Sequence, residues 1–239
     1  VFYGARYGKL DRLNTEMAEL TFGPTLNLAR IGIDDARLGL YGIANGIRLN
    51  GANYSGAVGA GVRLGMQVLG KDEINTRIEL RRRWFNDTVR YPSASDRAGY
   101  SLRAVSTYHH RFTAAFTGRL SLLLDYEDAR VAWKRNLEGG VSAGLTYRFA
   151  SPLDSEAGPW SIDLEAGYSR RAFSKPDPLI NRNRSQRDNE AWARSVLTLP
   201  IGSSGTAVAL TGEVRRQQSN YDLNDYTNAL GMVTLMQRF

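Results

Sequence analysis

Apolar residues in this chain recur at every second position over stretches too long for ordinary strands, and that period most restricts its fold. From Leu137 to Phe149 one side reads Leu137, Gly139, Val141, Ala143, Leu145, Tyr147, Phe149, and the other Glu138, Gly140, Ser142, Gly144, Thr146, Arg148. Successive side chains of a strand point to opposite faces, so this segment is a strand with one apolar and one polar face. It runs about twice the usual five or six residues. Val58–Val68, Ile78–Trp84 and Trp160–Tyr168 alternate likewise, although Arg82 intrudes on the apolar parity. None shows the three-and-four-residue recurrence of an amphipathic helix.

Read this way, the chain holds twelve candidate strands, near 1–8, 15–28, 36–49, 54–69, 73–86, 98–111, 114–128, 135–149, 159–173, 187–199, 206–218 and 226–239. Pro92, Pro152, Pro176 and Pro178 fall between them, and Pro159 and Pro200 sit at strand ends, where a missing N–H is tolerated. Pro24 lies inside the second segment and predicts a bulge or break there. The third segment is ambiguous, since Leu38, Leu40, Tyr41, Ile43, Ile47 and Leu49 do not keep one parity. Connections after even-numbered segments tend to be compact (69–72, 110–113, 201–205), whereas those after odd-numbered ones include the long polar stretches 86–97 and 174–186. Two connections depart from this: 150–158 is long for a tight turn and 50–54 short for an outer loop. Long loops on one side and short turns on the other mark an outer-membrane barrel.

A soluble sandwich also alternates, so other features must decide. Most segments reach the ~9–11 tilted residues that cross a bilayer. The polar face carries Arg, Glu, Asp and glycine, as suits a narrow hydrated lumen. Tyr126, Tyr147, Phe149, Trp160, Tyr168 and Phe173 gather toward strand ends, as interfacial girdles do. The mean hydropathy of −0.37 then reflects an arginine-lined interior. No apolar run approaches the ~18–20 residues of a spanning helix. The expected fold class is all-β, a transmembrane antiparallel up-and-down β-barrel of about 12 strands, forming a single domain over residues 1–239. The expected surroundings are the lipid of a bacterial outer membrane.

Composition narrows the chemistry. The 31 basic residues against 24 acidic give a net charge of +7. Lysine stands only at 9, 71, 134 and 175, so 31 − 4 = 27 of the basic residues are arginine. These arginines alternate with acids, which fits an internal lattice of charge pairs better than a basic stripe for nucleic acid, and no nucleic-acid partner is expected. The expected lumen network comprises Arg77, Glu79, Arg81, Arg83, Asp163, Glu165, Glu213 and Arg215, paired across strands so that the barrel is nearly occluded at rest.

The absence of cysteine excludes disulfides, thiolate metal sites and Cys nucleophiles. The two histidines, His109 and His110, are neighbours and face opposite ways on a strand, so they make neither a paired metal site nor a well-placed catalytic base. Asp125/Glu127 and Asp163/Glu165 lie two apart on one face, a spacing that permits proton sharing, but arginines of adjacent strands are the better partners. Asp125, Glu127 and Asp128 offer oxygens to a calcium ion without a loop-ligand spacing. No enzyme activity, metal or cofactor is expected.

The closing stretch, Gly231-Met232-Val233-Thr234-Leu235-Met236-Gln237-Arg238-Phe239, alternates into a terminal phenylalanine. Phe239, Leu235 and Val233 share one face, and Phe239 resembles the signal read by the bacterial barrel-assembly machinery. Gln237 departs from the apolar residue common two places before the end.

Several short motifs carry a family resemblance. They are Thr21-Phe22-Gly23-Pro24, Gly158-Pro159-Trp160, Arg170-Arg171-Ala172-Phe173-Ser174-Lys175-Pro176-Asp177-Pro178, Arg187-Asp188, Ser219-Asn220-Tyr221, Asp225-Tyr226-Thr227-Asn228 and Arg238-Phe239. From about residue 15 onward the chain resembles the C-terminal barrel of the surface lipoprotein assembly modifier family. The resemblance implies a barrel of about fourteen strands behind a periplasmic tetratricopeptide-repeat domain, assisting translocation or display of proteins at the cell surface. No helical repeat is present, and the chain opens Val1-Phe2-Tyr3 without Met or signal peptide. It is therefore expected to be processed or incomplete, with two further strands upstream if the family pattern holds and a periplasmic repeat domain or partner protein alongside. Two other functions remain open: a channel for polysaccharide export or passive diffusion, and a non-transport structural or docking barrel. A sugar channel should carry aromatic slides on its lumen face, whereas Tyr and Trp fall mainly on the apolar parity.

Overall fold

A computed structural model describes residues 2–5, 14–33, 35–68, 70–152, 158–202 and 205–237. Its strands are β1 (Phe2–Ala5), β2 (Thr15–Phe22), β3 (Thr25–Asn27), β4 (Ala36–Leu49), β5 (Ala52–Val68), β6 (Asp72–Phe85), β7 (Gly99–Arg111), β8 (Phe116–Glu127), β9 (Asn136–Phe149), β10 (Trp160–Phe173), β11 (Arg187–Ile201), β12 (Thr206–Ser219) and β13 (Tyr226–Gln237). All belong to one antiparallel up-and-down sheet, ordered β1-β2-β4 and then consecutively to β13, with the short β3 pairing β4. Helical structure among the described residues is confined to single 3-10 turns such as 28–31, 94–97, 132–134 and 222–224. The sheet is not closed there: β1 and β13 are its two edges.

Most expected strands appear within a few residues of their expected bounds, and the exceptions have local causes. The second segment divides at Gly23-Pro24 into β2 and β3 and ends in the 3-10 turn 28–31, not as one strand to residue 28. Proline has no N–H for the ladder, and a Cβ on Gly23 would lie 2.0 Å from the Leu40 carbonyl oxygen. The ambiguous third segment is one continuous strand, β4, with a register shift between Ile47 and Arg48. Its mixed parity arises because Leu38 and Leu40 share one face while Tyr41, Ile43 and Ile47 share the other. The short connection at 50 is a two-residue turn: Asn50 and Gly51 both have positive φ, 49° and 78°, matching the twist of a tight hairpin. Residues 1 and 6–8 of the first segment, Leu69, Arg238 and the assembly-signal residue Phe239 lie outside the described residues.

The two faces of the sheet are unequal in a direction opposite to that of a soluble protein. The apolar parity is exposed on strand after strand: Val58, Val62, Leu80, Leu122, Leu145, Leu164 and Leu210 all face outward, with Leu122 58% exposed. The charged parity is the sheltered one, and Glu79 is 3% exposed. A flat single layer shelters neither face more than the other, so the sheet curls toward its polar side. Arg81 of β6 shows the same, reaching Glu19 of β2 at 2.8 Å. In the ladder order those strands are three steps apart, about 14 Å on a flat sheet. At Gly59 a Cβ would lie 2.2 Å from the Leu80 carbonyl oxygen, so the backbones of β5 and β6 close up where the curl is formed.

Aromatic rings mark the ends of the apolar band. Near the β7–β8 turn His110 and Phe112 pack edge-on at 4.6 Å, and Phe112 meets Phe116 at 5.3 Å. Phe149 lies 5.7 Å from Tyr147 and 6.1 Å from Trp160 at the same end. Toward the other end, Arg82 stands on the apolar parity with its guanidinium 4.7 Å from the Tyr100 ring centroid. A cation over a ring near a strand end is an arrangement that lets arginine share an apolar face.

Candidate functional site

The inner face is where this chain concentrates its chemistry. Following ladder partners from β4 to β12, one row reads Tyr41, Gly61, Glu79, Arg103, Asp125, Glu138, Arg171, Asp188 and Ser219. Alternating strand direction puts residues of one parity on one side, and consecutive strands stack their charges into a belt.

Ion pairs link this belt laterally. The Arg81 guanidinium holds Glu79 and Glu19, each at 2.8 Å, and the Tyr41 hydroxyl donates to Glu79 at 2.9 Å. Arg77 stands 3.6 Å from the same Glu79 carboxylate. Arg83 bonds Glu127, which also accepts from the Asn136 amide at 3.0 Å. On the far side Arg119 forks between Asp163 at 2.6 Å and Glu165 at 2.7 Å. Thr146 and Ser142 donate to those two acids in turn, at 2.6 and 2.8 Å. Arg215 bridges Glu190 and Glu213, both at 2.9 Å, and Arg171 grips Glu138 through two nitrogens.

All eight residues expected in the lumen network therefore sit on this face in ion pairs, but their partners extend well beyond them. Glu19, Tyr41, Arg119, Glu127 and Glu190 are partners of the eight, and the pairs Arg171–Glu138 and Arg103–Asp125 lie on the same face. Several contacts skip a strand, as from β8 to β10 or β6 to β8, a distance that parity along one strand does not reveal. Glycine was an available signal for Arg119. Its ladder partner is Gly144, where a Cβ would stand 2.8 Å from the guanidinium Nε. Trp192 lies over Gly167 in the same way, with a Cβ there 2.5 Å from the indole. Tyr41, Trp192 and Tyr226 thus put rings on the inner face that the apolar-parity pattern leaves out.

The acids whose spacing permits proton sharing are each engaged by arginine. Asp163 and Glu165, the spacing that suggested proton sharing, are both held by one guanidinium. Glu127 is occupied by Arg83, while Asp125 has Arg103 at 3.6 Å. His110 turns outward to Asp72, 2.5 Å from its Nδ1, while His109 takes the opposite parity. No cluster of three or more His, Asp or Glu among the described residues has a geometry suited to a metal ion. Two cavities of about 910 and 650 Å³ open on the inner face, the first beside β3–β6 and the second among Asp125, Glu138, Trp192 and Arg215.

The longer loops tie into one another at one end. Arg130 donates to Ala98 and Val131 to Asp96 through backbone bonds of 2.7 and 3.3 Å. Lys134 pairs with Asp177 at 3.3 Å. Tyr221, 3% exposed, donates to the Arg184 carbonyl at 2.6 Å and accepts from the Asp177 backbone at 3.2 Å. Two motifs of the sequence resemblance, 170–178 and 219–221, therefore meet in space through Asp177 and Tyr221.

No protein-family model matches this sequence, and no curated protein does. Among solved structures, the crystal structure of the siderophore receptor PirA from Pseudomonas aeruginosa is similar at a TM-score of 0.46 and 11% identity. The alignment covers 100% of this chain, which spans 39% of the PirA chain.

Removing Arg119 leaves two carboxylates facing each other on a partly sheltered surface. Breaking a well-desolvated pair costs ~3–5 kcal/mol and an exposed one up to ~1, so Arg119→Ala should cost about 2 kcal/mol. Arg119→Lys should recover only part of this, because an ammonium lacks the planar fork that holds both oxygens of Asp163 while also reaching Glu165. Denaturant unfolding midpoints of the micelle-folded chain measure both; a fully restored lysine variant would contradict the forked arrangement.

In loop 86–98 Asp87 accepts from the Ser95 backbone at 2.8 Å and from its hydroxyl at 2.9 Å. These bonds hold its carboxyl below the usual carboxylate range. A depressed pKa means the bonds contribute order above the ordinary value of about 3.9 and lose it as pH falls through the lower, folded one. Titration followed by the Ser95 amide resonance should show its midpoint below about 3.9. A midpoint at or above that value would contradict the contact.

Proposed function

We propose that this chain is an outer-membrane β-barrel whose interior is braced by Arg–carboxylate pairs, and that it assists translocation or display of proteins at the bacterial surface. The observation that carries the membrane part is the inverted polarity of the sheet. Its apolar face is exposed on strands from β2 to β13, farther around than a docking partner covers, and lipid is the solvent that suits such a belt. The outward run from Leu137 to Tyr147 covers ten steps of ~3.4 Å, which at a typical barrel tilt makes a band of about 25 Å, the height of an outer-membrane apolar girdle.

The translocation part rests on the motif resemblance and on the bracing of the interior. A diffusion pore keeps its lumen hydrated and open, whereas here Arg81, Arg83, Arg119, Arg171 and Arg215 each reach across the inner face to a carboxylate. Cargo then moves along the rim or through a lateral opening, not down the axis. Barrel-assembly machinery inserts the chain, and a periplasmic tetratricopeptide domain or partner protein delivers the cargo.

Two measurements separate this reading from a channel. Purified barrel in planar bilayers should be nearly silent. In a Gram-negative host, producing the barrel together with a lipoprotein reporter should raise the protease-accessible reporter on intact cells. Steady porin-like conductance without any gain in display would overturn the translocation reading and favour the channel.

A further inference from the structure

We infer that the inner face carries an oxyanion-binding site formed by Arg37 of β4 and Arg63 of β5, which line the cavity of about 910 Å³ at the short-turn end, together with Arg77 of β6, the ladder partner of Arg63. The site rests on the geometry of this face and not on the translocation reading.

The three arginines are neighbours by register. Arg63 is the direct ladder partner of Arg77, and Arg37 is diagonal to Arg63, because Arg37 pairs with Gly65 and Arg63 with Gly39. Direct partners have Cβ atoms ~5 Å apart and diagonal ones ~7–8 Å, so the three guanidinium groups can converge on one anion. Like charges placed directly opposite repel, and several other arginines of this face, among them Arg81, Arg83, Arg119, Arg171 and Arg215, are taken up by acids. Among the described residues Arg37 and Arg63 have no carboxylate within 4.0 Å, and Arg77 has a longer ion pair, 3.6 Å, to a Glu79 already held by Arg81. Arg63 instead stands 5.6 Å from the Tyr41 ring centroid.

The surroundings supply what an oxyanion needs. Gly39 and Gly65 form a low floor between the arginines, and Thr25, Gln67 and Asn75 add neutral polar groups to the cavity wall. Among the described residues that line the cavity, the carboxylates Asp35 and Glu73 lie nearer the turn end than the arginines, and Glu73 already accepts from the Asn75 amide at 2.8 Å. Guanidinium forks match the paired oxygens of phosphate or carboxylate, so the ligand is a multiply charged group of that kind.

The test uses the folded chain in detergent micelles, with pyrophosphate and citrate as probes for the phosphate and carboxylate sources. Calorimetry should show one saturable site, weakened at least tenfold by Arg63→Gln or Arg37→Gln, less by Arg63→Lys, and unchanged by Arg216→Gln on the outer face. The tighter probe identifies the oxyanion class. Because a variant can misfold, the unmutated chain is also treated with phenylglyoxal. The bound probe should protect Arg37, Arg63 and Arg77 and leave Arg216 reactive. Absence of saturable binding, or protection no greater at these three than at Arg216, overturns the inference. Neither readout depends on conductance or display, so the site and the translocation reading can fail separately.

Discussion

A single curled layer holds this fold together by sheltering its charges on the concave side. A sheet of consecutive antiparallel strands has only two faces, and in this chain one is apolar and the other is dense with arginine and acid. Curling brings residues from non-adjacent strands within reach, and the ion pairs Arg81–Glu19, Arg83–Glu127 and Arg119–Asp163 form only in that curled state. The same curl turns every leucine and valine of the opposite parity outward. Face polarity, curvature and pairing are therefore one arrangement viewed three ways, and glycines such as Gly59, Gly144 and Gly167 provide room for it.

Much of this was legible in the residues because period two is a strong signal over long strands. Leu137–Phe149 could take no other reading, and Pro24 announced the break between β2 and β3. The long polar stretches 86–97 and 174–186 fell where the structure places interlocked loops. Parity also selected the right face for Arg81, Glu165 and Arg215. What it could not give was the partner. Arg119 meets Asp163 two strands away, and Glu19 meets Arg81 three ladder steps away, because of curvature that no single segment encodes. The inward rings Tyr41, Trp192 and Tyr226 were missed for a related reason: each lies on a parity defined by its charged neighbours.

The inner face is not uniform. Around β8 to β12 the arginines Arg119, Arg171 and Arg215 are all engaged by acids. Around β4 to β6 the balance is broken at Arg37 and Arg63, which have no carboxylate within 4.0 Å among the described residues, although Asp35 and Glu73 line the same cavity. Where charges are satisfied the face serves as a brace; where they are not, it offers charge to something else. The loops at the opposite end, pinned through Asp177 and Tyr221, give the strand ends a fixed frame.

An apolar face that meets lipid while the charged face stays in water leaves an alternating signature along each strand. The chain contains no cysteine, so single cysteines along β9 can each carry a fluorophore in barrel reconstituted into vesicles. Quenching by lipid-borne nitroxide should be strong at 137, 141, 143, 145 and 147 and weak at 138, 140, 142, 144 and 146, with an aqueous quencher giving the reverse. Alternation with the opposite phase, or aqueous quenching at every position, would contradict the account.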